Sequence, residues 1–201
     1  TLSIRNLKFI ISDIQFTETN GDLYTTSSEY SIFKLQPRKQ TFSINGGEIL
    51  PSGNYNISFT FGLTESMNFS GLYPEINDDF HVPQNFGGGY YFMQLKGDFL
   101  NASNSLQDYK LYVNRAVDTT NPQNHVLTDT SYKVNLGQHY ITGGVFYAAV
   151  KVKVDISQWF KNPNTWDLNS LNNNLTGNYE AQLKLSENVE TVFSYMGIET
   201  D

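Results

Sequence analysis

The sequence predicts an all-β fold, an antiparallel β-sandwich of Ig-like or jelly-roll-like type with short helical segments near the C-terminus. Three observations carry the prediction. Apolar residues alternate at period two in several stretches, most cleanly at Tyr55, Ile57, Phe59, Phe61 and Leu63, as expected for half-buried strands. Hydrophobic residues make up 39% and aromatics 14% of 201 residues, while charged residues make up only 16%, a balance suited to wide sheets rather than solvated helices. Turn residues (Asn-Gly, Pro-Ser-Gly, Gly-Gly-Gly) punctuate the stretches at short intervals. A chain of this length fits one sandwich, so residues 1–201 are expected to form a single domain.

The first strand is expected over Leu2–Phe16. Leu7, Phe9 and Ile11 alternate, and then Ile14 and Phe16 alternate in the opposite phase. The phase change at Ser12 and Asp13 predicts a bulge or bend. Asn20-Gly21-Asp22 is a hairpin turn, and Tyr30–Leu35 the returning strand. A short piece at Thr41–Ile44 and a turn at Pro51-Ser52-Gly53 lead into the alternating strand 55–63. Residues 64–79 read as an irregular crossing rich in Asn, Gly and Pro. After Gly87, Gly88 and Gly89 the chain enters a strand from Tyr90 to about Leu100. Tyr91, Met93, Leu95 and Phe99 share one side of it, and Tyr90 and Phe92 make the other side aromatic at its start.

Further strands are expected at Tyr109–Ala116 and Tyr132–Leu136, joined by a polar loop through Pro122 and His125. Val145–Ile156 carries Phe146, Ala148, Val150, Val152, Val154 and Ile156 on one face, with Lys151, Lys153 and Asp155 opposite. It is expected to pair inside the sheet with one wet face. Asp155–Phe160 reads as a helical turn ended by Pro163, and Asn162–Asn178 as loop with one helical turn near Leu168–Leu175. Ala181, Leu183 and Leu185 then read as a strand. Val189, Val192, Phe193 and Met196 read as a short helix behind a Ser186 cap.

Composition excludes several functions. The net charge is −7, and the 13 Lys and Arg are scattered, which argues against nucleic acid and anionic membrane surfaces. There are no cysteines, so disulfides, thiol nucleophiles and thiolate metal sites are absent. No apolar run is long enough for a transmembrane segment. No Gly-x-Ser-x-Gly motif or recognisable Ser/His/Asp order appears, and the chain reads as non-enzymatic.

The candidate metal ligands are His81, Asp78, Asp79 and Glu75. Cu²⁺ favours imidazole nitrogen, but His81, His125 and His139 show no close spacing, and an exposed loop histidine is the plainer account. Glu75, Asn77, Asp78 and Asp79 gather hard oxygens of the kind Ca²⁺ requires, without the glycine and terminal Glu of an EF-hand loop; a solvated acidic loop is the better account. Copper and calcium are thus the cofactors to test. Tyr73, Phe86, Tyr90 and Tyr140 lie near expected loop ends and could stack on sugars, though most aromatics in so aromatic a chain belong to the core. The three glycines could cradle an anion, yet no helix follows them as in a P-loop, and strand entry accounts for them better.

Laid out in order, four segments stand out: the opening LKFIISDIQF (7–16), GYYFMQLKG (89–97), VKVKVDISQWF (150–160) and NVETVFSYMGIE (188–199). Together they resemble the MbnP-like family, which includes the methanobactin-associated MbnP and copper-repressible CorA-like proteins. The resemblance implies a β-sandwich located in the periplasm, outer membrane or cell surface, with a possible lipid anchor outside the sequence given. It also implies copper binding by histidine and an oxidised tryptophan made by a di-haem peroxidase partner. The family's tryptophans lie just before the Gly-Tyr block, where this chain has Gln84 and Phe86. The family's histidine in the next strand corresponds to Lys110–Asn114, with Tyr112 in its midst; Trp159 and Trp166 lie far downstream. The expectation is therefore a binding protein with a degenerate metal site. A surface adhesion or glycan-associated module is the competing expectation.

Overall fold

The computed structural model describes residues 2–36, 43–44, 46, 50–121, 124–144 and 148–200. It is mostly antiparallel strand: β1 (Leu2–Glu18), β2 (Leu23–Thr25), β3 (Tyr30–Lys34), β4 (Gly53–Phe61), β5 (Met93–Leu100), β6 (Leu106–Val113), β7 (Ala116–Asp118), β8 (Val126–Thr128), β9 (Tyr132–Ile141), β10 (Ala148–Val154) and β11 (Phe193–Thr200). Two helices, α1 (Asn77–Phe80) and α2 (Tyr179–Asn188), and several 3₁₀ turns complete it.

While β10–β11 and β7–β8 pair separately, the other seven strands form one sheet organised around β1. Along one edge it pairs with β5 over Leu2–Phe9 and with β4 over Ile11–Glu18; along the other it pairs with β3 over Lys8–Ser12 and with β2 over Gln15–Thr17. β5 and β4 meet end to end at Ile10, whose N–H donates to Phe92 O (2.9 Å) and whose carbonyl accepts from Gly62 N–H (2.8 Å). The bend expected at Ser12–Asp13 is present. The β1–β4 register slips between Ser12 and Gln15, and Asp13 has φ of 49°. β6 then extends the sheet beyond β5, and β9 beyond β4.

The core holds Leu7, Phe9 and Ile10 of β1 together with Tyr55, Ile57, Phe59 and Phe61 of β4 and the following Leu63, so the alternation read from the sequence points inward as expected. At its centre Trp159 packs against Phe9 and Phe61 at ring-centroid distances of 6.2 and 5.9 Å. Phe193 reaches in from β11 and touches Phe9, Phe59, Phe61 and Trp159. The helical turn expected here is the 3₁₀ turn Ile156–Phe160, which carries Trp159 and is capped by Asp155, whose side chain accepts from Ser157 N–H.

Several expectations are corrected. The strand expected over Val145–Ile156 is β10; residues 145–147 lie outside the described residues. Among the described residues β10 pairs with β11 rather than inside the seven-stranded sheet, and Val152 is 37% exposed. The order at the C-terminus is reversed. Ala181, Leu183 and Leu185 lie in α2, because Asn178 accepts from Ala181 N–H as a helix cap and Ala181, Gln182, Leu185 and Asn188 form the buried stripe at helical spacing. Val189–Thr191 is a 3₁₀ turn, and Phe193–Thr200 is strand β11 because β10 offers it a partner. Near Leu168–Leu175 the single turn expected is present, with Leu171 N–H donating to Asp167 O (2.9 Å), but it does not continue into a helix. Of Thr41–Ile44, residues 41–42 lie outside the described residues, as does Pro122, and Ser43 and Ile44 are not strand.

Candidate functional site

Of the candidate metal ligands and stacking aromatics, all but Tyr140 belong to the crossing from β4 to β5, residues 64–92. The crossing is compact because 3₁₀ turns at Glu65–Met67, Pro74–Ile76 and Gln84–Phe86 alternate with α1, and because Ile76, Phe80 and Val82 are buried beneath it. Gly87, Gly88 and Gly89 have φ of 91°, 62° and 76°, a left-handed run that residues with a Cβ resist. Their backbone is spoken for. Gly89 N–H donates to Ser70 Oγ and Tyr90 N–H to Asn68 Oδ1 (both 2.8 Å), while the buried Arg115 guanidinium donates to Gly87 O (2.7 Å). The loop delivers the chain into β5.

The acidic groups separate rather than converge. Asp79 accepts from Lys8 (2.8 Å) and Lys34 (3.1 Å), and these bonds hold its carboxyl below the usual range. Glu75 accepts from the Tyr30 hydroxyl, which lowers its carboxyl likewise. Asp78 and His81 are exposed, and the His81 backbone forms a β-bridge to Tyr90. His125 is exposed, and His139 stacks on Tyr195 at 3.5 Å with Nε2 2.7 Å from Leu136 O. Among the described residues no group of three His, Asp or Glu is arranged to hold a metal ion. Tyr112 packs edge-on to Tyr91 at 5.1 Å and lies under Lys96 at 5.3 Å. Trp159 is fully buried, and Trp166, also buried, donates its indole N–H to Leu171 O (2.9 Å).

The tyrosines form a different arrangement. Tyr90 is fully buried, and its hydroxyl oxygen accepts the Tyr73 backbone N–H at 2.7 Å. Tyr73 donates its own hydroxyl to Glu29 Oε2 (2.9 Å), as Tyr30 does to Glu75 Oε1. The Tyr30 and Tyr73 rings lie 4.7 Å apart, and those of Tyr73 and Tyr90 5.8 Å. Burial, reinforced by the bond to Glu29, pushes the Tyr73 phenol up to about 12; burial and Glu75 raise that of Tyr30 as well. These groups border a hollow at the start of β3. Glu29 and Tyr30 escaped the sequence reading because they approach Tyr73 and Glu75 only through the tertiary fold.

Phe86 lies at a second hollow, lined also by Thr176, Gly177, Asn178, Tyr179 and Glu180, where the α2 cap meets the crossing. Tyr140, the one candidate outside the crossing, stands on β9 and is 59% exposed. No helix among the described residues is long and apolar enough to cross a membrane.

The MbnP family model matches residues 1–192. The sequence matches none of the curated proteins. Among solved structures, MbnP from Methylosinus trichosporium is similar in fold, with a TM-score of 0.52 and 8% identity over 98% of this chain and 87% of that one.

Proposed function

Because the chain belongs to the MbnP family, we propose that it is a non-enzymatic, extracytoplasmic binding protein of that type whose metal site is degenerate. The family match across residues 1–192 is the observation that carries this reading. Location in the periplasm, outer membrane or cell surface, copper as the metal and a di-haem peroxidase as partner all follow from membership and belong to the same proposal. The degeneracy rests on the side chains. An amide at Gln84, a phenyl ring at Phe86 and the packed phenol of Tyr112 stand where imidazole and indole would be needed, and Cu²⁺ prefers imidazole nitrogen.

The expected outcome is weak Cu²⁺ binding through His81 or another exposed histidine. Cu²⁺ is titrated into metal-free protein while heat and melting temperature are followed. A site saturated a hundredfold above its dissociation constant adds about 2.7 kcal/mol, which a melting curve registers readily. Submicromolar stoichiometric binding that disappears in His81→Ala would overturn the degenerate-site reading. Fractionation of the native host tests the location.

A second reading, a glycan-associated surface module, draws on the hollow at Phe86, where two aromatic rings lie beside amide, hydroxyl and carboxyl groups. A glycan array probed with the wild type and Phe86→Ala separates it from the first.

A further inference from the structure

We propose that the hollow between the start of β3 and the Tyr73–Glu75 turn binds organic cations bearing a primary ammonium group. Its lining includes Ser28, Glu29, Tyr30, Ile32, Tyr73 and Glu75. Hydrogen-bond direction fixes the ligand class. A phenol has one proton to give, and Tyr30 gives its proton to Glu75 and Tyr73 to Glu29. An ionised carboxylate has none. Every valence left on these four groups is therefore a lone pair, and the complementary ligand head is one with donors only, for which an ammonium supplies three.

Charge and ring geometry agree. Among the described residues neither Glu29 nor Glu75 has an ion-pair partner, whereas nearby Asp79 is bridged by two lysines. Two carboxylates without an ion-pair partner among the described residues thus border this hollow in a chain of net charge −7. The Tyr30 and Tyr73 rings, 4.7 Å apart and inclined at 58°, form an aromatic corner, and a cation gains further attraction over such ring faces. The corner is preorganised: the Tyr73 backbone is tied to the buried Tyr90 hydroxyl, and the Glu75 turn is anchored by Ile76 and Phe80, so less ordering is required on binding. A hard metal ion fits less well, since calcium seeks six to eight oxygens and only two carboxylates are offered, each already holding a phenol proton. The site uses no histidine and stands apart from the copper reading.

The test titrates the full chain at neutral pH with butylammonium, cadaverine, tetramethylammonium, neutral butanol and Ca²⁺, followed by amide NMR shifts. Saturable binding of the two primary amines is expected, at least about tenfold tighter than tetramethylammonium, which has no N–H to give. Glu29→Gln and Glu75→Gln should each weaken it about tenfold or more, with melting temperature monitored to confirm folding, while Glu180→Gln at the other hollow leaves it unchanged. Absence of saturable amine binding, equal binding of butanol, tighter binding of Ca²⁺, or amine binding that survives both glutamate substitutions would overturn the proposal.

Discussion

Replacing Phe193 by alanine should remove one of the contacts that tie the β10–β11 pair to the main sheet, the His139–Tyr195 stack being another. The ring meets Phe59 edge-on at 5.2 Å and 89°, Phe9 at 5.8 Å, Phe61 at 6.0 Å and Trp159 at 6.4 Å and 90°. A buried Phe→Ala substitution costs about 3–5 kcal/mol in lost transfer energy and residual cavity. The rings around Phe193 cannot all close the gap, so the cost should fall within that range. Phe193→Leu keeps most of the apolar volume but loses the ring pairs, each worth about 0.5–1.5 kcal/mol and not additive, so it should cost about 1–2 kcal/mol. For a chain of this size about 2–4 °C of melting temperature accompanies each kcal/mol, so the alanine variant should melt roughly 6–20 °C lower. Urea unfolding followed by far-ultraviolet circular dichroism, and independently by tryptophan fluorescence, gives the energy and checks that the transition is two-state. A cost below about 1 kcal/mol for the alanine variant, where buried phenylalanines cost 3 or more, would refute the packing described.

Phe59→Ala should cost about 3 kcal/mol or more by the same urea measurement, since Phe59 is buried on β4 and faces Phe193. Gly97→Ala should be more damaging than its single methyl suggests, because a Cβ there would overlap Ser3 O and sit 2.5 Å from Tyr109 Oη. Backbone must move where β1, β5 and β6 cross; a melting temperature within about 2 °C of wild type, less than 1 kcal/mol at this size, would contradict the close approach. Burial holds the Tyr73 and Tyr109 phenols up at about 12 against a reference of 10.0. Their protonated forms contribute stability that is fully present below pH 10 and is lost as pH rises toward 12. An alkaline titration should therefore show a late set of phenols whose absorbance change accompanies unfolding, and loss of stability confined to acid pH would contradict it.

What the sequence disclosed follows from where each element finds its partners. The β4 alternation and the β1 phase change were legible because large apolar groups mark both. The C-terminal inversion was not, because the inner stripe of α2 is half polar. Gln182 is buried and donates to Tyr112 O and Leu175 O, and Asn188 is buried and donates to Trp159 O and Asn164 O. Counting hydrophobic residues there left Ala181, Leu183 and Leu185, which happen to alternate. β10 shows true alternation, yet the number of partners a strand finds is a tertiary matter. Of the candidate site, the half on the crossing (Tyr73, Glu75, Tyr90) was visible as residue types; Glu29 and Tyr30, more than forty residues earlier, complete it only through folding.

The position of β1 also constrains how the molecule is made. It precedes every other strand described here, yet the partner of Leu2 is Phe99, nearly a hundred residues later. At about 5–20 residues synthesised per second, that edge waits roughly 5–20 s for β5, while β2 and β3 can close the opposite edge early. The nascent chain thus carries a strand of 17 residues that is zipped on one side and open on the other. Topologies of this kind fold slowly, because distant ends must meet before any pairing rewards them. The open side is a template for another chain's strand. Yield of folded protein should accordingly depend more on shielding that early hairpin than on the final depth of the energy well.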